Sequence, residues 1–201
     1  MMHDDAFPLV DDWIERLNAM LDADPLAAVV GGVEIRSAQA LRKWNAEKDA
    51  YLERELGYET VTACMIPGAI TMIDRKRTMD IRMREDWPVA SDAPEWDYYF
   101  RVTKAGMKVQ ATRLVPIWHP CHDDLETGRG ASFQLNGNGE VYSQGTKWHG
   151  FGSLRERGED FSKARKFLSD EWPDWTLDCG VKGAGSVTKD GLLVEAKTVL
   201  L

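Results

Sequence analysis

The apolar positions of the first 57 residues recur at helical spacing. Phe7, Val10, Trp13, Ile14, Leu17 and Leu21 follow one another at three- and four-residue steps, which predicts one stripe along a first helix. Asp5 is placed to cap it, Pro8 suits its first turn, and Asp24-Pro25 ends it, because a residue before proline avoids the helical region. A short apolar piece, Leu26 to Ile35, follows. A second helix is expected from Ser37 to Gly57, with Leu41, Trp44, Lys48, Tyr51, Leu52 and Leu56 on its inner face. Lys43 and Glu47 form an outward four-residue pair, and Gly57 stops the helix.

From Tyr58 the period changes to two. Val61, Ala63 and Met65 alternate with more polar neighbours, as do Ile70 and Met72, and then Met79, Ile81 and Met83. Asp74 to Arg77 reads as the turn between the last two runs. Tyr98, Phe100 and Val102 begin another expected strand, and Lys104 to Gly106 is its hairpin connection to a strand through Met107, Val109, Val115 and Ile117. Arg113 breaks the inner face of that strand and needs a partner or an opening. Asn136 to Gly139 is a turn signal, and Phe161, Ala164, Leu168 and Trp172 trace a third helix over roughly 160–172. Two closing strands are expected, Trp175 to Val181 and Leu192 to Leu200. The order predicts an α+β fold: a mostly antiparallel sheet with two N-terminal helices and one later helix packed on it. It reads as a single domain over 1–201, with a helical arm at 1–57 and a sheet-rich body at 58–201.

Composition narrows the class. With 43% hydrophobic and 29% charged residues the chain can bury a core without staples. A net charge of −8 disfavours nonspecific binding to nucleic acid and is concentrated in the first helix, where Asp11, Asp12, Glu15 and Asp22 outnumber Arg16. Three cysteines at wide spacing fit a reducing, cytoplasmic setting. No secretory leader is read in Met1 to Asp5, and no apolar run is long enough to span a membrane.

Candidate chemistry is densest at Trp118 to Asp124, which holds two of the four histidines and one of the three cysteines. His119, Cys121, His122 and Asp123 are candidate ligands for zinc or another divalent metal, with His149 or Cys179 available from elsewhere. The plainer reading is a strand end at Pro120 with Cys121 packed as a small apolar residue. In the tail, Pro173-Asp174 followed by Glu195-Ala196-Lys197 resembles the PD-(D/E)xK nuclease motif. That resemblance implies Asp174 and Glu195 as ligands of a divalent metal and Lys197 as the residue that helps activate water. The plainer reading there is alternating charge on the open face of a last strand.

Arg75, Lys76, Arg77, Arg82 and Arg84 form one basic stretch, with Arg82 and Arg84 expected on the exposed face of a strand. Six of the eight tryptophans, Trp87, Trp96, Trp118, Trp148, Trp172 and Trp175, flank turns or element ends, and Tyr142, Trp148, His149 and Phe151 make the best aromatic recognition surface. The layout from Phe133 to Leu168 is similar to that of small bacterial immunity-type domains. No catalytic motif is complete. The leading expectation is therefore a non-catalytic cytoplasmic protein that engages a protein partner through its acidic helix and aromatic loop. The alternative is a metal-dependent hydrolase or nuclease.

Overall fold

A computed structural model describes Met2 and residues 6–35, 38–63, 66, 68–87, 94–119, 163, 166–168, 170–172, 186–187 and 193–194. The elements follow in the order β1 (Phe7–Pro8), α1 (Trp13–Ala23), β2 (Ala27–Ile35), α2 (Ala38–Glu47), α3 (Asp49–Leu56), β3 (Thr60–Thr62), β4 (Thr71–Ile73), α4 (Pro94–Lys104), β5 (Lys108–Trp118), β6 (Ser186–Val187) and β7 (Leu193–Val194).

The apolar piece after the first helix is the central strand. All nine residues of β2 are buried, which requires cover on both faces and explains why the run shows no period-two alternation. β5 lies beside it in parallel, from Ala27 opposite Lys108 to Ile35 opposite Trp118. β1 and β3 pair antiparallel with the far side of β5, and β4 pairs antiparallel with the far side of β2. The sheet is therefore mixed, not mostly antiparallel, and its longest pairing is the parallel one. Between Gly32 and Val33 the register jumps from Thr112 to Pro116, so residues 113–115 bulge out of β5. Gly32 makes this possible: a Cβ there would lie 2.1 Å from the Val115 carbonyl oxygen. Arg113 sits in the bulge with its guanidinium 3.7 Å from the Glu53 carboxylate, which is the partner its position demanded.

Helices cover both faces. Val30 packs with Leu17 and Leu21 of α1, whereas its neighbour Val29 packs with Tyr98, Phe100 and Val102 of α4. Successive strand residues point to opposite faces, so α1 and α4 flank β2 from opposite sides. Trp44, Tyr51 and Leu52 of α2 and α3 close over Val33 and Ile35.

Four expectations are corrected. Tyr98, Phe100 and Val102 belong to a helix, α4, whose four-residue spacing shows in the Arg101–Asp97 ion pair and in the Thr103 hydroxyl donating to the Tyr99 carbonyl. Glu95 and Asp97 in its first turn and Arg101 and Lys104 in its last suit the helix dipole, and Gly106, at φ 81°, turns the chain into β5. The expected single helix over 37–57 is two, broken at Lys48, whose φ is 52° and whose ammonium lies 3.9 Å over the Trp44 ring. Phe7 and Pro8 form β1 and not the start of α1. Met79, Ile81 and Met83 lie in a turn and an irregular stretch with no strand pairing. Residues 163, 166–168, 170 and 171 are helical as expected, and Leu168 is buried against α4. Val187 and Leu193 pair in a short antiparallel ladder. No helix among the described residues is long and apolar enough to cross a membrane.

Candidate functional site

Because β2 and β5 run in parallel, their carboxyl ends meet, and such ends are where parallel sheets commonly hold ligands. Glu34 is the penultimate residue of β2, and His119 follows the last residue of β5. His119 keeps the alternation of Val115 and Ile117 and is buried with them. Its Nδ1 lies 3.1 Å from Glu34 Oε2, with the two side chains 2% and 1% exposed. The Ala69 amide donates to Glu34 Oε1 at 3.2 Å, and the His119 amide donates to the Ile35 carbonyl at 3.1 Å. Both oxygens of the carboxylate are thus engaged, which offsets the cost of burying it.

The surroundings are polar as well. A Cβ at Gly68 would lie 3.1 Å from Glu95 Oε1, so the loop ahead of β4 presses on α4 as well as on Glu34. Burial pushes the Tyr99 phenol well above its ordinary value, Glu95 and Glu34 add to the rise, and Thr71 opposes it by hydrogen bonding. A carboxylate on one ring nitrogen fixes the orientation of an imidazole, the arrangement that steadies histidine ligands and histidine bases. Among the described residues, no three His, Cys, Asp or Glu side chains gather to hold a metal ion.

Of the residues singled out in sequence, His119 is brought to Glu34, a carboxylate 85 positions away that no local motif marks. Cys121, His122, Asp123, Tyr142, Trp148, His149, Phe151, Asp174, Glu195 and Lys197 lie outside the described residues.

A second region went unread. A groove of about 910 Å³ opens between α1 and the stretch 71–83. Four of the six exposed large apolar side chains among the described residues line it: Met2, Ile14, Met79 and Met83. The basic stretch divides here. Arg77 is spent inside the fold, on the carbonyls of Leu21, Asp24 and Ala27 and on the Asp74 carboxylate. Arg84 is held by Asp86 and Glu171 and lies 4.8 Å over the Phe167 ring, and the Asp86 hydrogen bond is the main cause that raises its guanidinium above the ordinary range. Arg75 and Arg82 instead line the groove, exposed, and no ion pair holds either among the described residues. The available signal was the alternation of Met79, Ile81 and Met83 with Asp80, Arg82 and Arg84, which fits a strand and equally an apolar surface that never pairs. Comparison with protein-family models, with curated proteins and with solved structures yields no match.

Proposed function

We propose that this protein is a non-catalytic binding protein that takes an apolar segment of a protein partner into the groove between α1 and residues 71–83. The observation that supports this reading is the concentration of exposed Met2, Ile14, Met79 and Met83 around one opening. Burying such side chains against a partner contributes roughly 1–2 kcal/mol each. Methionine adapts its shape to different apolar surfaces, which suits a recognition groove better than a core. The acidic first helix takes part through its apolar stripe, since Trp13 and Ile14 form one wall.

The test places a photo-crosslinking residue at Met79, at Met83 or at Asn45, which is exposed on α2. One product should form from positions 79 and 83, not from 45, and should disappear with Ile14→Asp. Equal labelling from all three positions would remove the support for the groove.

A second reading, a metal-dependent hydrolase centred on His119, draws on the Glu34 carboxylate at Nδ1. Elemental analysis separates the two. Near-stoichiometric zinc that His119→Ala removes would favour the hydrolase, and a chain that gains no stability from zinc, magnesium or manganese would oppose it.

A further inference from the structure

The shape of the groove identifies its occupant more closely than its composition does. Thr71, Met72 and Ile73, the whole of β4, line it. Successive strand side chains point to opposite faces, so a groove that touches all three runs along the edge of the strand and not over one face. The walls agree: Ile14 belongs to α1 and Tyr98 to α4, which flank the sheet from opposite sides. Among the described residues β4 ends the sheet order, with β2 on its inner side. The Asp74 amide donates to Ala28 O across that inner side, and strand alternation therefore turns the N–H and C=O of Ile73 to the outer edge. Directly ahead of β4, the backbone of Met2 bridges antiparallel to Ile70. Among the described residues, the charged side chains along the groove are Arg75 and Arg82, both cations, in a chain whose net charge is −8.

The geometry points to an extended, acidic segment of a partner protein that adds as a strand to the outer edge of β4. This rests on the groove reading above and adds the backbone geometry and charge of the partner. The peptide groups of Ile73 supply ladder hydrogen bonds, Ile14, Met79 and Met83 receive alternate apolar side chains, and Arg75 and Arg82 receive carboxylates. A helix would leave the edge unused, and a basic segment would meet two like charges.

The experiment uses the full chain with methyl-labelled methionine, so that Met72, Met79 and Met83 report on the groove and Met20 and Met107 serve as controls. The probes are ten-residue peptides: one alternates Val or Ile with Asp, a second has Lys for Asp, and two more are the acidic peptide N-methylated at every other residue, in frames offset by one. The acidic peptide should shift the groove methyls and leave the controls in place, and the lysine peptide should bind at least tenfold more weakly. One N-methylated frame should keep binding and the other lose at least tenfold, because one edge alone of an added strand pairs with β4. Arg75→Glu with Arg82→Glu should reverse the preference between the acidic and lysine peptides.

Equal binding by both N-methylated frames would overturn strand addition, and equal binding by the acidic and lysine peptides would overturn the charge assignment. Groove methyls that move with protein concentration alone would show a second copy of this chain as the occupant and overturn the inference. Site-specific crosslinks from Met79 without any peptide binding would overturn the inference and leave the groove reading standing; loss of both would end both.

Discussion

The carboxyl end of the β2–β5 pair and the outer edge of β4 belong to one sheet and are built in opposite ways. At the first, polar atoms are buried: Glu34 and His119 meet at 3.1 Å almost out of solvent, with a backbone amide on the remaining carboxylate oxygen. At the second, apolar atoms are exposed: Met79 is 70% accessible and Met2 55%. Each arrangement costs free energy in its own surroundings. The first cost is met within the chain, because Glu34 and His119 hydrogen-bond to each other and to their neighbours. The second is not met within the described residues, and a partner that covers the methionines would recover it.

The largest expected effect breaks the first region. Glu34→Ala takes the carboxylate away from the buried His119 ring and from the Ala69 amide, and should lower unfolding stability by about 3–5 kcal/mol in urea titrations. A loss below about 1 kcal/mol would mean that water or another group readily replaces the carboxylate. Replacing both partners sharpens the point. Glu34→Leu with His119→Leu should cost less than the sum of the single changes, with a coupling of about 1–3 kcal/mol, because neither side chain is then buried without the other, while the Ala69 amide loses its acceptor in the single and the double variant alike. Additive effects would show that the two side chains are held separately.

The two regions differed in how far the sequence disclosed them. The helical stripe of α1 was legible because Trp13, Leu17 and Leu21 repeat at helical spacing over a helix of 11 residues. β2 and β5 were legible as apolar runs, but their parallel pairing was not. Such pairing needs a crossover, and the segment between these strands holds α2, α3, β3, β4 and α4, so no local turn signal records it. α4 misled because Tyr98, Phe100 and Val102 are β-favouring residues at alternate positions, while the helical signals, acids in the first turn, bases in the last and the four-residue Asp97–Arg101 pair, lie in the polar residues between them. His119 was legible as a candidate ligand from its crowded neighbourhood. Glu34 was not, because a single acid inside an apolar strand acquires its meaning from a histidine on another strand. The groove stayed hidden because exposure of Met79 and Met83 is a property of three-dimensional placement and not of spacing.

An intermediate case tests whether burial sets the scale. Asp24, at the end of α1, accepts from Lys108 Nζ at 2.7 Å, from the Leu26 amide at 2.9 Å and from Gln110 Nε2 at 3.0 Å, and its side chain is 22% exposed. The Lys108 hydrogen bond, followed by the Leu26 amide, holds its carboxyl below the ordinary value of 3.8. A carboxylate with a depressed folded pKa stabilises the fold above the unfolded pKa, and that contribution is lost as pH falls through the folded value. Asp24→Asn should therefore cost about 1 kcal/mol or less at pH 7, with the difference from the parent shrinking as pH drops below about 4. An Asp24 effect as large as that of Glu34 would show that burial does not rank these contacts.

The smallest expected effect on stability belongs to the groove, and it decides whether the comparison holds. Met79→Gln with Met83→Gln removes apolar surface that the described fold leaves in water, so unfolding stability should change by no more than about 0.5 kcal/mol. The same pair of substitutions should weaken binding of the acidic extended peptide at least tenfold, because the surface to be covered is gone. Stability and binding are then separable in one variant, which a buried core residue does not permit. If the double variant lost more than about 2 kcal/mol, a range typical of large-to-small changes in a core, the methionines would be part of the packed interior in solution. The contrast between a polar site closed within the chain and an apolar site left for a partner would then fail.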